Sequence, residues 1–369
     1  MYIESIYLKN FRNYEEQSIK LCPGINIFFG DNAQGKTNVL ESIYLTSMGK
    51  SHRTQKYNEM IKWDKDQCRV LNEYSKEGIE GSIDFFIKRN KKKQIKINGI
   101  KIDKLSEIIG RINSVMFSPD HMRIVKEGPS ERRKFIDAIL SQAKPKYYYN
   151  LIQYLKVLDQ RNNLLSDDKK RKELIKTLDI WDYQLIDFGS KIIRDRFIFI
   201  KNIGNVAAAI NNQLSGGKEN LELRYKPSVR IESFEMNDIE EAFTRILMEA
   251  RATDIMRGIT NYGPHRDELI LSINGKELRN YGSQGQQRSA LLSLKLAETS
   301  FIKEETGTVP VLLLDDVFSE LDINRQNYLL YYIKDMQVVL TCTDFNNINL
   351  SSINHCSYFE VKNGTIKEI

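Results

Sequence analysis

Residues 30–37, Gly-Asp-Asn-Ala-Gln-Gly-Lys-Thr, leave few folds open. They fit G-x-x-x-x-G-K-[ST], the phosphate-binding loop, and the flanks suit it. Residues 24–29 form a short apolar run with the character of a buried strand. Residues 38–49 carry Val39, Leu40, Ile43, Tyr44 and Met48 at helical spacing before a glycine stop. Strand, glycine-bounded loop and helix start gather backbone N–H groups and the positive end of a helix around a polyphosphate. Gly30, Asp31, Asn32, Ala33, Gln34 and Gly35 are therefore candidates for a nucleotide cradle. Lys36 would reach the β- and γ-phosphates, and the Thr37 hydroxyl would ligate Mg2+.

Two later stretches bear on the same chemistry. Residues 309–316 read Val-Pro-Val-Leu-Leu-Leu-Asp-Asp, an apolar strand ending in two acids, the Walker B arrangement. Asp315 would bind Mg2+ directly or through water, and Asp316 would orient and deprotonate the attacking water. Upstream, Ser283-Gln284-Gly285-Gln286 opens a helix bearing Leu291, Leu292, Leu294, Leu296 and Ala297. Its start offers backbone N–H groups and a serine hydroxyl suited to a γ-phosphate. One chain has one phosphate loop, so a second such helix start gains a use by facing the loop of another copy. An ordinary core helix capped by Ser283 is the plainer reading of the same residues.

Composition sets the outer limits. The 369 residues suffice for one large domain plus a smaller one. A formal net charge of +6 permits binding to a polyanion without requiring it. No stretch approaches the ~18 apolar residues of a membrane span, and residues 1–20 lack a basic start followed by an apolar core. Cys22, Cys68, Cys342 and Cys356 are scattered with no C-x-x-C, and the four histidines form no ligand pair. Free thiols in a reducing cytoplasm are expected, with no zinc site.

Along the chain, residues 2–8 alternate as a strand with Ile3, Ser5 and Tyr7 on one face, and residues 16–21 form a second strand. Arg12, in the turn between them, either folds back onto a nucleotide phosphate or stays solvated. Residues 81–102 read as hairpins, with Asn98-Gly99 suiting a type I′ turn. Lys88, Arg89, Lys91, Lys92 and Lys93 make a basic loop that would neutralise DNA phosphates without reading sequence, with Arg132, Arg133 and Lys134 as the next candidates. Helical stretches near 147–165 and 180–214 flank the polar run 166–172, and Ser215-Gly216-Gly217 reads as a linker. The expected organisation is an α/β P-loop ATPase head with a mixed β-sheet. It is built from 1–128 and 218–369, with a helical insertion lobe at 129–217.

The ordered motifs carry a resemblance. They are Leu-Lys-Asn-Phe-Arg-Asn-Tyr at 8–14, the phosphate loop, Phe-Ser-Pro-Asp at 117–120, Gly-Pro-His-Arg-Asp at 263–267, Ser-Gln-Gly-Gln-Gln-Arg at 283–288 and Leu-Leu-Leu-Asp-Asp-Val-Phe-Ser-Glu-Leu-Asp at 312–322. Together they resemble the ABC-type ATPase heads of the SMC-like DNA repair class, and among these the RecF family. That resemblance implies ATP with Mg2+, a weak DNA-stimulated ATPase activity and a head-to-tail homodimer formed when ATP is bound. Each nucleotide would lie between Lys36 and Thr37 of one copy and Ser283 and Gly285 of the other. Ser319-Glu320-Leu321-Asp322 would cross the interface as the D-loop, and Arg12 would lie near the phosphates. The resemblance also implies binding to double-stranded and gapped DNA, and partnership with RecR and RecO in loading RecA. The setting is replication, repair and the SOS response.

Three departures from the ABC pattern stand out. Asp316 occupies the position where most such ATPases have glutamate; its carboxylate is one methylene further back, so slow turnover is expected. The switch histidine is missing, and Thr341 and Thr343 stand in the region instead. No glutamine is assignable to a Q-loop. A structural SMC protein or zinc-hooked ATPase would need long heptads or paired cysteines, and a nuclease-associated ATPase would need a further acidic or histidine cluster. A transporter subunit fits poorly with the basic hairpin and the interposed helices.

Overall fold

The computed structural model describes residues 1–166, 177–345 and 355–369, so residues 167–172 of the polar run lie outside the described residues. The chain divides into two compact units, 1–122 with 298–369, and 123–297.

Among the described residues the first unit holds two six-stranded sheets. One is antiparallel, in the order β2-β1-β4-β5-β6-β7: β1 (Tyr2–Lys9), β2 (Glu16–Lys20), β4 (Gln67–Lys76), β5 (Ile79–Lys88), β6 (Gln94–Ile97) and β7 (Ile100–Ile102). The other runs β15-β14-β3-β13-β12-β8, from β3 (Ile25–Phe29), β8 (Ser114–Phe117), β12 (Val311–Asp315), β13 (Val338–Cys342), β14 (Cys356–Lys362) and β15 (Thr365–Glu368). It is parallel except at β15. Parallel strands buried on both faces need continuous apolar runs, and β3, β12 and β13 supply them. Helix α1 (Lys36–Met48) shares one core with both sheets through Val39, Leu40 and Ile43, which cluster with Ile6 and Val70 of one sheet and Phe28 and Leu313 of the other.

β1 does not alternate as its sequence suggests. The pairing shifts between Ile3 and Ser5, so Ile3 before the bulge and Ile6 and Leu8 after it are all buried. The Asn98-Gly99 hairpin is as expected: both residues have positive φ, as a type I′ turn requires.

The second unit is more than the helical insertion expected at 129–217. It contains α2 (Pro129–Ala143), α3 (Pro145–Ser166), α4 (Leu178–Leu214) and α5 (Met236–Arg257), and also a sheet of β9 (Leu221–Lys226), β10 (Glu268–Ile273) and β11 (Lys276–Glu277). β9 pairs with β10 over six residue pairs, and α4 packs on both β9 and α5. These contacts bind 218–297 to the helices preceding it and extend the unit past the Ser215-Gly216-Gly217 turn. The boundary at 297 falls inside α6 (Gln284–Thr306).

Buried charge ties these helices together. Arg161, wholly buried, donates to Asp182 and Asp254 at 2.7 Å each and to Thr260 at 2.8 Å. Arg196 donates to Asp137 at 2.8 Å and to the Pro264 carbonyl at 2.6 Å, with Asp267 at 3.4 Å. Among the described residues no helix is long and apolar enough to cross a membrane.

Candidate functional site

β3 delivers the chain to the phosphate loop, and α1 leaves it. Gly35 has φ 118°, and a Cβ there would meet the Asn13 side chain at 2.5 Å, so only glycine fits. Gly30 is similarly confined, with φ 143° and the Val361 carbonyl 2.4 Å from where a Cβ would stand. In the sequence Asn13 and Tyr14 belong to a turn and to the 8–14 motif, with no role of their own. The structure makes them braces for the loop. The Asn13 amide donates to the Gln34 carbonyl at 2.6 Å and accepts from Asn38 at 2.8 Å, and the Tyr14 hydroxyl donates to the Gly35 carbonyl at 2.9 Å. Asp31, Asn32 and Ala33 are exposed at the loop's tip.

Lys36 is nearly buried, and its ammonium donates to the Gly30 and Asp31 carbonyls at 2.5 and 2.8 Å. Desolvation lowers its pKa, against the pull of Asp316, Asp315 and Asp31. These two carbonyls are neutral partners that a phosphate would replace with charged ones.

Register explains how the two acids meet the loop. β13 lies between β3 and β12, and pairs Thr341 with Asp315. Asp315 Oδ1 accepts from the hydroxyls of both Thr37 and Thr341, at 2.8 Å each. Thr341 also receives the Asp316 N–H, at 3.1 Å on its hydroxyl and 3.2 Å on its carbonyl. Of the two threonines noted where a switch histidine is missing, Thr341 is thus the one bonded to both acids; Thr343 is exposed. Asp316 sits at φ 52°, an uncommon conformation for a non-glycine residue. Burial raises its pKa, and the Asp315 charge adds to that.

This oxygen set suits a hard divalent cation. A threonine hydroxyl and a carboxylate converge at the start of α1, oxygen donors of the kind Mg2+ prefers.

Arg12, expected by resemblance near the phosphates, has protein partners beside the loop's helix. Its Nε and one terminal nitrogen grip Glu41 at 2.8 and 2.6 Å, and the other donates to the Glu59 carbonyl at 2.7 Å. Each nitrogen gives one bond to protein, so two of the five N–H groups are not used by these bonds, and Arg12 is the counter-ion of a buried acid on α1. Burial works to raise the Glu41 pKa, but hydrogen bonds from Arg12 and Ser51 more than offset it and hold the carboxyl below its ordinary range.

The signature stretch starts α6 with a capping box. The Ser283 hydroxyl accepts from the Gln286 N–H at 3.2 Å, and Gln286 Oε1 accepts from the Ser283 N–H at 2.9 Å. Ser283, Gln284 and Gly285 are exposed. Ser283 accepts in this cap and keeps its own hydroxyl proton to donate. Downstream, Asp322 caps α7 (Ile323–Ile333) by accepting from the Arg325 N–H, and Gln326 pins the D-loop backbone at Phe318 and Leu321.

The basic candidates separate sharply. Lys91 and Lys92 are exposed, Lys88 and Arg89 half-exposed. Lys93 turns inward onto the Tyr57 hydroxyl and ring, where desolvation lowers its pKa to about 8. Arg132 is buried, grips both oxygens of Glu268 at 2.7 and 2.9 Å and donates to the Ile124 and Glu127 carbonyls; it offers nothing to DNA. Arg133 donates to the Asp267 carbonyl and is half-buried. The fallback DNA surface at 132–134 thus loses Arg132 to the interior of the second unit, while Arg133 is half-buried and Lys134 exposed.

A phosphate loop on a parallel sheet, an acid-tipped strand one place removed from the loop strand, a capped signature helix and a D-loop define an ATPase head of the ABC type. The sequence model of the RecF/RecN/SMC N terminal domain family matches residues 2–367. The DNA replication and repair protein RecF of Clostridium novyi is 45% identical over 368 residues, covering 100% of each chain. The solved structure of the recombination mediator protein RecF-ATP in the RecFOR pathway has a TM-score of 0.92 at 38% identity, covering 100% of this chain and 99% of that one. An Smc head bound to the C-winged helix domain of ScpA has a TM-score of 0.58 at 16% identity, covering 100% and 97%, a likeness of fold alone. The chain belongs to the RecF family within the RecF/RecN/SMC group.

Proposed function

We propose that this chain is an ATP-driven DNA clamp of recombinational repair and replication, with a slow, DNA-stimulated ATPase activity. The observation that carries the reading is the convergence of Thr37 and Thr341 on one oxygen of Asp315, at the mouth of the phosphate loop. Lys36 exchanges its two carbonyls for the β- and γ-phosphates, while the loop's N–H groups and the start of α1 hold the rest. Mg2+, held by Thr37 and Asp315, supplies charge neutralisation at the phosphates when bound. Asp316 takes a proton from the attacking water; its raised pKa makes it a better base than a solvated aspartate, and its short side chain keeps turnover slow. Ser283, Gln284, Gly285 and Gln286 of a second copy complete each site. The triphosphate thereby adds binding energy to a dimer that nucleotide-free chains lack. Closure brings two basic rims onto one DNA, which raises avidity without a new kind of contact. By family, the client DNA is gapped or branched duplex, the partners are RecR and RecO, the beneficiary is RecA, and the setting is the cytoplasm.

Solution sizing with and without a non-hydrolysable ATP analogue, repeated with duplex DNA, tests this. A dimer is expected only with the analogue. Ser283→Arg should bind nucleotide normally and remain monomeric; if it dimerises like the parent, the composite site is wrong. Mg2+-dependent cutting of gapped DNA would turn the reading toward a nuclease.

A further inference from the structure

Among the described residues no large hydrophobic side chain is more exposed than Trp63, at 87%. A single exposed apolar residue needs no explanation by itself. Trp63 differs in how it is held and in what surrounds it. Its turn is closed by the Lys65 N–H donating to the Lys62 carbonyl at 3.2 Å, and Lys62 N–H is anchored to the Asn10 carbonyl at 2.8 Å. On the other side the Arg89 backbone donates to the Asp66 carbonyl and its Nε to the Lys65 carbonyl, both at 2.8 Å. The indole is therefore displayed on a pinned turn that shares hydrogen bonds with the basic loop. Lys93 is tucked under at Tyr57, and Lys91 and Lys92 remain exposed. Asp64 and Asp66 offset part of that charge, and Lys62 lies 3.7 Å from Glu15; Lys65, Arg89, Lys91 and Lys92 leave the rim cationic.

A flat, rigid aromatic beside cations has a defined chemical complement. Continuous duplex hides its base faces in the stack, so only its phosphates could use this rim. An unpaired base offers a π-face to the indole while its flanking phosphates meet the cations. We propose that Trp63 is a stacking platform for an unpaired base, with Arg89, Lys91 and Lys92 on the neighbouring phosphates, so that the rim selects a single-strand junction over uninterrupted duplex. This inference rests on the DNA-binding reading above and adds the feature that distinguishes one DNA from another.

Fluorescence anisotropy with a gapped duplex and a blunt duplex of equal length tests it. Trp63→Ala should weaken gapped DNA roughly tenfold and leave blunt duplex within about twofold, while Trp63→Phe keeps most of the preference. In a Trp181→Phe background, gapped DNA should quench the remaining indole and blunt duplex should not. Lys91→Gln with Lys92→Gln should weaken both DNAs alike and flatten the salt dependence. A flattened slope with an unaltered Trp63→Ala defeats the stacking inference alone. An unaltered slope together with an unaltered Trp63→Ala shows that DNA lies elsewhere and defeats both. Equal losses on gapped and blunt DNA reduce Trp63 to a general contact and overturn the selection. Trp63-dependent binding to anionic vesicles, with gapped DNA unaffected, would assign the indole to a membrane surface and overturn it too.

Discussion

The charges around Arg196 in the second unit and those at the phosphate loop in the first are treated in opposite ways. Around Arg196 the guanidinium meets Asp137, the Tyr147 hydroxyl, the Pro264 carbonyl and Asp267; Tyr225 and the Ser228 N–H also donate to Asp267. Opposite charges are paired, and the lone pairs between them are filled. At the phosphate loop itself, Lys36 and Asp315 have neutral partners among the described residues, although Arg12 and Glu41 pair further along α1. Lys36 is given two backbone carbonyls, and Asp315 is given two hydroxyls. Neutral partners are cheap to exchange for a charged ligand, whereas an ion pair must be broken first. A scaffold closes its electrostatics, and a site leaves them to be completed.

That contrast can be broken at its strongest point. Arg196→Met leaves Asp137 and Asp267 without a counter-ion, and should cost about 3–5 kcal/mol in urea denaturation. A cost below about 1 kcal/mol would mean the cluster is not scaffold. Lys36→Ala should do the reverse. Stability should stay within about 1 kcal/mol, because only two neutral partners are lost, while ATP affinity falls by an amount corresponding to about 1.5–3 kcal/mol, read by calorimetry. Thr341→Val removes a donor to Asp315 and an acceptor for the Asp316 N–H; kcat should fall about tenfold with KM for ATP little changed. Equal kcat values would make Thr341 a packing residue.

The smallest effect is in pH. His265 is bonded to Tyr154 and to the Thr260 carbonyl, and burial depresses its pKa to about 4. Below the ordinary value of 6.5 the unfolded chain takes a proton that the folded chain refuses. Stability should therefore decline as pH falls from about 6.5 to about 4 and stop declining there on this group's account. His265→Gln should flatten that stretch of a denaturation–pH series. Asp316 has the opposite linkage. Its pKa is raised by burial, so its ionised form weakens the fold at neutral pH; if Asp316 is the base proposed above, turnover should drop on acidification before an ordinary aspartate would protonate.

Much of the nucleotide site was legible in the sequence, because a phosphate loop is built from consecutive residues whose spacing is their function. The loop, its helix, the acid-tipped strand and the Asn98-Gly99 turn need only local geometry. What failed to show depended on partners far along the chain. Nothing in Glu131-Arg132-Arg133-Lys134 says that Arg132 goes inward to Glu268 while Lys134 stays out. β4 went unread because its buried face, Cys68, Val70, Asn72 and Tyr74, includes an asparagine; Asn72 is tolerated there because its amide donates to Thr46 at 2.7 Å. The second unit's true extent was hidden because β9 and β10 are separated by a helix, and only their pairing joins them.

Sequence alone determined which chemistry is possible here: a triphosphate cradle, a hard-metal acid and a base, each written in adjacent letters. Tertiary structure decided which side chains stand open to that chemistry. Thr341 reaches Asp315 because β13 lies between the loop strand and the acid strand, and Arg12 is claimed by Glu41 because α1 packs beneath it. Strand order and burial are set by contacts across hundreds of residues, and hydrogen-bond satisfaction in the interior, not local spacing, fixes where each charge ends.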